Sequence, residues 1–151
     1  MTMLSKYFSL AEMTKSQTAT RLGLDNIPSD GQIDDLKDLC INILDPVREH
    51  YGVPFSPSSG YRSPELNAAI GSTPTSQHCA GQAADIEVPG VSNIRLAWWI
   101  RVHLDFDQLI LEYYTSGDPS SGWIHVSLNS GSNRHKVLTY NGTSYEKGLP
   151  E

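Results

Sequence analysis

The stretch "FDQLILEYYTSGDPSSGWIHVSL", residues 106–128, decides the architecture. Two runs rich in Ile, Leu, Val, Trp and Tyr flank "TSGDPSSG" (115–122), a segment of turn formers, so the stretch reads as strand, loop and strand. In "WIHVSL", Ile124, Val126 and Leu128 alternate with Trp123, His125 and Ser127. The first set faces a core, and His125 points to the opposite side. A hairpin closed by residues 115–122 sets Glu112 directly opposite His125, within reach of a water held beside it. Slipping that register by one residue would send Glu112 to the other face.

Upstream, "AADIEV" (83–88) shows the same alternation, with Ala84, Ile86 and Val88 facing the core and Asp85 and Glu87 on the open side. "KVLTYNGTSYEKG" (136–148) adds a hairpin over Asn141-Gly142. Asn141-Gly142-Thr143 is formally a glycosylation sequon, but without a secretory signal it reads as a turn.

Helices come first in the chain. Ser9 with Glu12 has capping-box spacing and opens one short helix ending near Gly23. Ile33, Leu36, Leu39, Cys40, Ile43, Leu44 and Val47 recur at helical spacing. That helix starts at Asp30 or Gly31 and stops at Gly52, with Pro46 a kink or a break. Ser63-Pro64 caps and starts a brief helix over Glu65 to Ile70. "SNIRLAWWIRVH" (92–103), apolar at 94, 96, 98, 99 and 102, is the third substantial helix. Helices followed by strands give an α+β fold, N-terminal helices packed on a small antiparallel sheet. The expectation is a single domain over residues 1–151.

With 151 residues, 38% of them hydrophobic, the chain can bury a core without staples. A net charge of −6 excludes nucleic acid as the expected partner, since phosphate binding depends on Lys and Arg. No run approaches the roughly 20 apolar residues of a membrane helix, so no membrane insertion is expected. The N-terminal stretch lacks a secretory pattern, which predicts a protein made in the cytoplasm. Two cysteines cannot form a disulfide framework. Cys40 reads as packing and Cys79 as a small wall residue of a cleft rather than a nucleophile. His50, His103 and His135 read as solvated, and Trp98 and Trp99 as core.

"TSQHCAGQAADIEV" (75–88) then joins the strands to a chemistry. His78, Asp85 and His125 form a set of three N/O ligands, which hold Zn²⁺ and leave a fourth position for water. Glu112 beside that water would serve as general acid/base, and its apolar neighbours Ile110, Leu111, Tyr113 and Tyr114 would raise its pKa. The alternative for Glu112 is a solvated polar residue. Trp123 shares the His125 face and either lines the cleft or packs beside it.

"SGYRSPELNAAIG", "TSQHCAGQAADI", "DQLILE" and "WIHVSL", in that order, resemble the peptidase M15 family, the D-Ala-D-Ala carboxypeptidase and endolysin-type zinc peptidases of the Hedgehog-like fold. The likeness extends to "YFSLAEMTKSQTATRLGLDN" and is strongest to the compact phage and prophage branch. It implies one zinc ion on His78, Asp85 and His125, with the small residues between His78 and Asp85 letting the chain turn tightly. It also implies that Arg62 binds substrate and stabilises the transition state, and that Ser76 binds substrate. Taken alone, Arg62 could equally be a surface arginine and Ser76 a turn cap. The chain departs from several members, which place the catalytic carboxylate three residues before the last histidine, where Gly122 stands here. Glu112 must then take that role.

The expectation is a zinc metallopeptidase cutting a bond next to a D-amino acid in bacterial peptidoglycan, a monomeric phage or prophage wall-lytic enzyme. It would act on peptidoglycan peptide after release from the host cytoplasm, or from the virion. The alternative is a non-hydrolytic, zinc-bearing binding or virion structural domain. Carboxypeptidase and endopeptidase action both remain open, because they turn on whether the cleft continues beyond the scissile bond.

Overall fold

The computed structural model describes residues 1–151. Helix α1 (Leu10–Thr14) opens with the capping box: the Ser9 hydroxyl accepts from the Glu12 N–H, and the Glu12 side chain accepts from the Ser9 N–H. The single helix expected to run to Gly23 is instead two. Lys15 is extended, and Ser16 caps a separate α2 (Gln17–Leu22) by accepting from the Ala19 N–H. Two good N-caps seven residues apart each satisfy orphan donors, so the chain restarts at the second.

One rod runs from the Ser29 cap to Gly52: α3 (Asp30–Leu39), a π-helical segment (Cys40–Leu44) and α4 (Asp45–Tyr51). Pro46 neither breaks nor ends it. Pro46 has no N–H to give the preceding turn, and the segment just before it is wound wider, with the Asp45 N–H donating to the Cys40 carbonyl. Leu36, Leu39, Cys40, Ile43, Leu44 and Val47 are all fully buried along this rod, as their spacing predicts.

Helix α5 (Pro64–Ala69) starts on the Ser63 cap, and α6 (Asn93–His103) on Ser92. The buried stripe of α6 is Asn93, Leu96, Ala97 and Ile100. Val102, expected in that stripe, lies off it and is exposed. Trp99 packs against the core, whereas Trp98 is half-buried and donates its indole N–H to the Pro150 carbonyl.

Five strands form one sheet: β1 (Ala83–Ile86), β2 (Gln108–Glu112), β3 (Trp123–Ser127), β4 (Lys136–Tyr140) and β5 (Tyr145–Lys147), in the order β1-β3-β2-β4-β5. Three ladders are antiparallel. The β2–β4 ladder is parallel, a correction to the all-antiparallel sheet expected, because the chain leaving β3 crosses over and returns on the far side of β2. The Asn141-Gly142 turn joins β4 to β5, with the Asn141 side-chain oxygen accepting from the N–H groups of Thr143 and Ser144.

Ala84, Ile86, Leu109, Leu111, Ile124 and Val126 point to one side and join a core of 22 buried residues with the helices. No helix is long and apolar enough to cross a membrane. The alternation of β1, β2 and β3 sends Asp85, Ile110, Glu112, Trp123 and His125 to the other side, where a cleft opens.

Candidate active site

Asp85 and His125 are direct partners in the β1–β3 ladder. Asp85 Oδ1 lies 3.1 Å from His125 Nδ1 and 3.3 Å from His78 Nε2. One ligand atom from each of the three residues falls within 4.8 Å of the others. His78 reaches this point from a 3₁₀ turn (Gln77–Ala80), with the Ser76 hydroxyl accepting from the His78 main-chain N–H.

The orientation of His78 is set from behind. Its Nδ1 is 2.7 Å from the Gly60 carbonyl, so Nδ1–H donates there and Nε2 is left facing Asp85. Gly60 belongs to a segment held between α1 and β1: the Tyr61 N–H donates to the Met13 carbonyl and the Asp85 N–H to Ser59. A Cβ at Gly60 would collide with the Met13 carbonyl, so the segment approaches this closely only as glycine.

Burial alone would push the Asp85 carboxyl upward, but the His125 and His78 rings beside it outweigh that and hold Asp85 well below the usual carboxylate range. Two imidazoles, one with its second nitrogen anchored, and an ionised carboxylate make a donor set that fits a divalent cation of the zinc type.

Glu112 sits on the same face, but not where the hairpin reading put it. Ile110 pairs with His125, and Glu112 pairs with Trp123, one step farther along the sheet. The strands part immediately after that pair: Tyr113 takes φ +52° and Gly122 φ +71°, so the connection is residues 113–122 rather than 115–122. The register is therefore displaced by two residues, which preserves the face, and Glu112 is a diagonal rather than direct neighbour of His125. Its half-buried carboxylate has no hydrogen-bond partner in the protein. Burial raises its pKa, with the neighbouring Asp85 acting in the same direction and His125 opposing it.

The backbone at Gly122, three residues before His125, leaves no room for a side chain. A Cβ there would run into the Glu112 carbonyl oxygen and lie 2.9 Å from both the Glu112 carbonyl carbon and the Tyr113 oxygen. No carboxylate-bearing side chain fits at that position on this backbone.

Arg62 is drawn to the site through its main-chain N–H, which donates to the His78 carbonyl at 3.1 Å. Its Nε is buried without a partner, and burial lowers the guanidinium pKa while nearby Asp85 opposes the shift. Arg62, Ser76, His78, Asp85, Glu112, Trp123 and His125 all line one cleft of about 770 Å³. The seven residues singled out in the sequence thus converge.

Other lining residues were not foreseen. Asp107, buried on the way into β2, accepts from the main-chain N–H, Nε and Nη2 of Arg134 and from Gln77 Nε2. The Arg134 side chain, with these other donors, depresses Asp107 to about 2. Arg134 itself borders the cleft, as do Tyr113, Tyr140 and Tyr145. Only the parallel placement of β4 beside β2 could have revealed the last two. Cys79, expected in the cleft wall, does not line it. Its carbonyl accepts from Gln32 Nε2 on α3, and burial pushes its thiol upward. His50, His103 and His135 are exposed as expected, the first two stacked about Trp99.

Compared with curated proteins, the chain matches none. A family model described as Peptidase M15 matches residues 6–127, from just ahead of α1 to the end of β3 and with every residue of the His78, Asp85, Glu112 and His125 cluster inside it. With 122 of its 151 residues covered by that match, the chain belongs to the peptidase M15 family.

Proposed function

We propose that this peptidase is a one-zinc endopeptidase that cuts a peptide bond next to a D-amino acid in bacterial peptidoglycan. The observation carrying this reading is the convergence of three ligand atoms within 4.8 Å, with an unpartnered carboxylate one residue pair along the same sheet face. His78 Nε2, an Asp85 oxygen and His125 Nδ1 would hold the ion, which when bound supplies the Lewis acidity that lowers the pKa of water to roughly 7 and polarises a carbonyl.

The chain's own groups do the rest. Glu112, raised toward the general-base range, takes a proton from water on its carboxylate and returns it to the leaving amine. Arg62 faces the same cleft with a buried, unpartnered Nε, a donor suited to a substrate carboxylate or the developing oxyanion. The Ser76 hydroxyl accepts from His78 and keeps its own proton free to donate to substrate. Anchoring His78 on Gly60 holds its ring in place as substrate enters.

The cleft supports the endopeptidase reading over terminal trimming. It continues past His125 toward Gln108 and Arg134 in one direction and past Glu112 toward Tyr140 and Tyr145 in the other, leaving room on both sides of a scissile bond. The protein would act as a monomer on the wall of a bacterial host, as a phage or prophage lytic enzyme released from the cytoplasm or carried in the virion. Replacing His78 or Asp85 by Ala should abolish both zinc binding and hydrolysis. Full activity in either folded variant would sink the ligand assignment.

A further inference from the structure

The sheet registers place four residues in one row across the open face. Trp123 on β3 pairs with Glu112 on β2, and Tyr140 on β4 pairs with Tyr145 on β5. Ile110 pairs with Leu138, so two residues farther along both parallel strands Glu112 and Tyr140 share a face and a level. The row is Trp123, Glu112, Tyr140, Tyr145, with Glu112 its one charge.

Tyr113 completes the surface. Its φ of +52° is uncommon for a bulky residue, and the abrupt chain reversal there sets its ring against Trp123, stacked at 5.0 Å, and edge-on to Tyr140 at 5.2 Å. Tyr140 in turn stacks on Tyr145 at 4.4 Å. Tyr113 and Tyr145 leave half or more of their surface exposed, and both line the cleft. None of the three tyrosine hydroxyls, nor the Trp123 indole N–H, has a hydrogen-bond partner in the protein. The result is a set of ring faces rimmed by free polar groups, continuous with the catalytic cleft. Tyr140 and Tyr145 lie beyond the stretch shared with the family, residues 6–127.

We propose that this aromatic surface is a carbohydrate subsite that stacks the pyranose rings of the glycan to which the cleaved peptide is attached. A pyranose matches it in chemistry: an apolar C–H face for the rings, an equatorial rim of hydroxyl and acetamido groups for the free phenols and indole, and no charge. Continuity with the cleft would seat the glycan on the Glu112 side while the stem crosses His125. This assignment deepens the peptidoglycan reading and rests on it for the identity of the sugar.

The test is binding of a β-1,4-linked N-acetylglucosamine tetramer, followed by calorimetry in the presence of chelator, to the wild-type protein and to Tyr145→Ala and Tyr145→Phe. Saturable binding is expected in the wild type, weakened on the order of fivefold or more in Tyr145→Ala and largely kept in Tyr145→Phe, since an aromatic ring is what stacks. The ratio of hydrolysis rates on glycan-linked over free stem peptide should fall by a similar factor in Tyr145→Ala. Absence of saturable binding by the folded wild type, or equal binding by wild type and Tyr145→Ala, overturns the subsite. Because binding is read without zinc, the two readings fail separately. Sugar binding without peptide cleavage leaves the subsite and removes the peptidase, while cleavage without sugar binding does the reverse.

Discussion

Replacing Gly122 by alanine is expected to be among the most damaging single-methyl additions on the cleft side of the sheet. Two costs combine. At φ +71° a Cβ disfavours the backbone by about 1–2 kcal/mol, and its collision with the Glu112 carbonyl adds an overpacking cost of about 1–3 kcal/mol. The total of about 2–5 kcal/mol corresponds, for a chain of this length, to a fall in Tm of roughly 4–20 °C. Gly117 provides the control. Its φ is +87°, yet nothing lies within 4 Å of a Cβ there, so Gly117→Ala should lose only the first part, about 1–2 kcal/mol. Thermal unfolding of the two variants by calorimetry separates the collision from the conformational cost. Equal losses would refute the close approach between residues 112 and 122, and with it the reason that position 122 carries no carboxylate. In the same vein, Gly122→Glu should not restore activity to Glu112→Gln, although it places a carboxylate three residues before His125.

Glu112→Gln itself should lower kcat by about 10²–10⁴ with zinc content unchanged, measured by single-turnover kinetics and elemental analysis; a loss of metal instead would make Glu112 a ligand. As pH falls through the raised Glu112 value the base is protonated, so the acid limb of kcat/KM should lie above the ordinary glutamate range and respond to Glu112→Gln. The depressed Asp107, at about 2, contributes stability that is fully present above about pH 4 and lost as pH falls toward its folded value. With Arg134 half exposed this amounts to about 1–2 kcal/mol, and Asp107→Asn should flatten the acid end of the stability curve measured by urea unfolding. Zinc at a hundredfold over its Kd should stabilise the fold by about 2.7 kcal/mol, a Tm rise of roughly 5–10 °C that His125→Ala removes.

Much of this was legible in the residues. Period-two alternation in 123–128 and 83–88 correctly assigned His125 and Asp85 to one face, because one side of a half-covered sheet must be apolar. The helix caps at Ser9 and Ser63 follow from local chemistry alone. Contacts distant in sequence were less accessible. The Glu112 register depends on where the loop begins, and that is decided by Tyr113 and Gly122 in left-handed conformations, one of which no propensity would assign to a tyrosine. The parallel β2–β4 pairing, the Arg134–Asp107 pair and the aromatic row depend on how the chain returns after β3. Nothing in their local sequence encodes that return. The π turn ahead of Pro46 is intermediate: the proline announces a conflict, but burial of Ile43, Leu44 and Val47 decides that the helix absorbs it.

The most direct measurement is mass spectrometry of the soluble products from purified peptidoglycan incubated with the protein, with chelator, and with chelator followed by zinc. New peptide ends next to a D-amino acid, absent with chelator and restored by zinc, are the predicted result and name the bond. Intact muropeptides from folded, zinc-loaded protein would contradict the account and leave a zinc-bearing binding domain in its place.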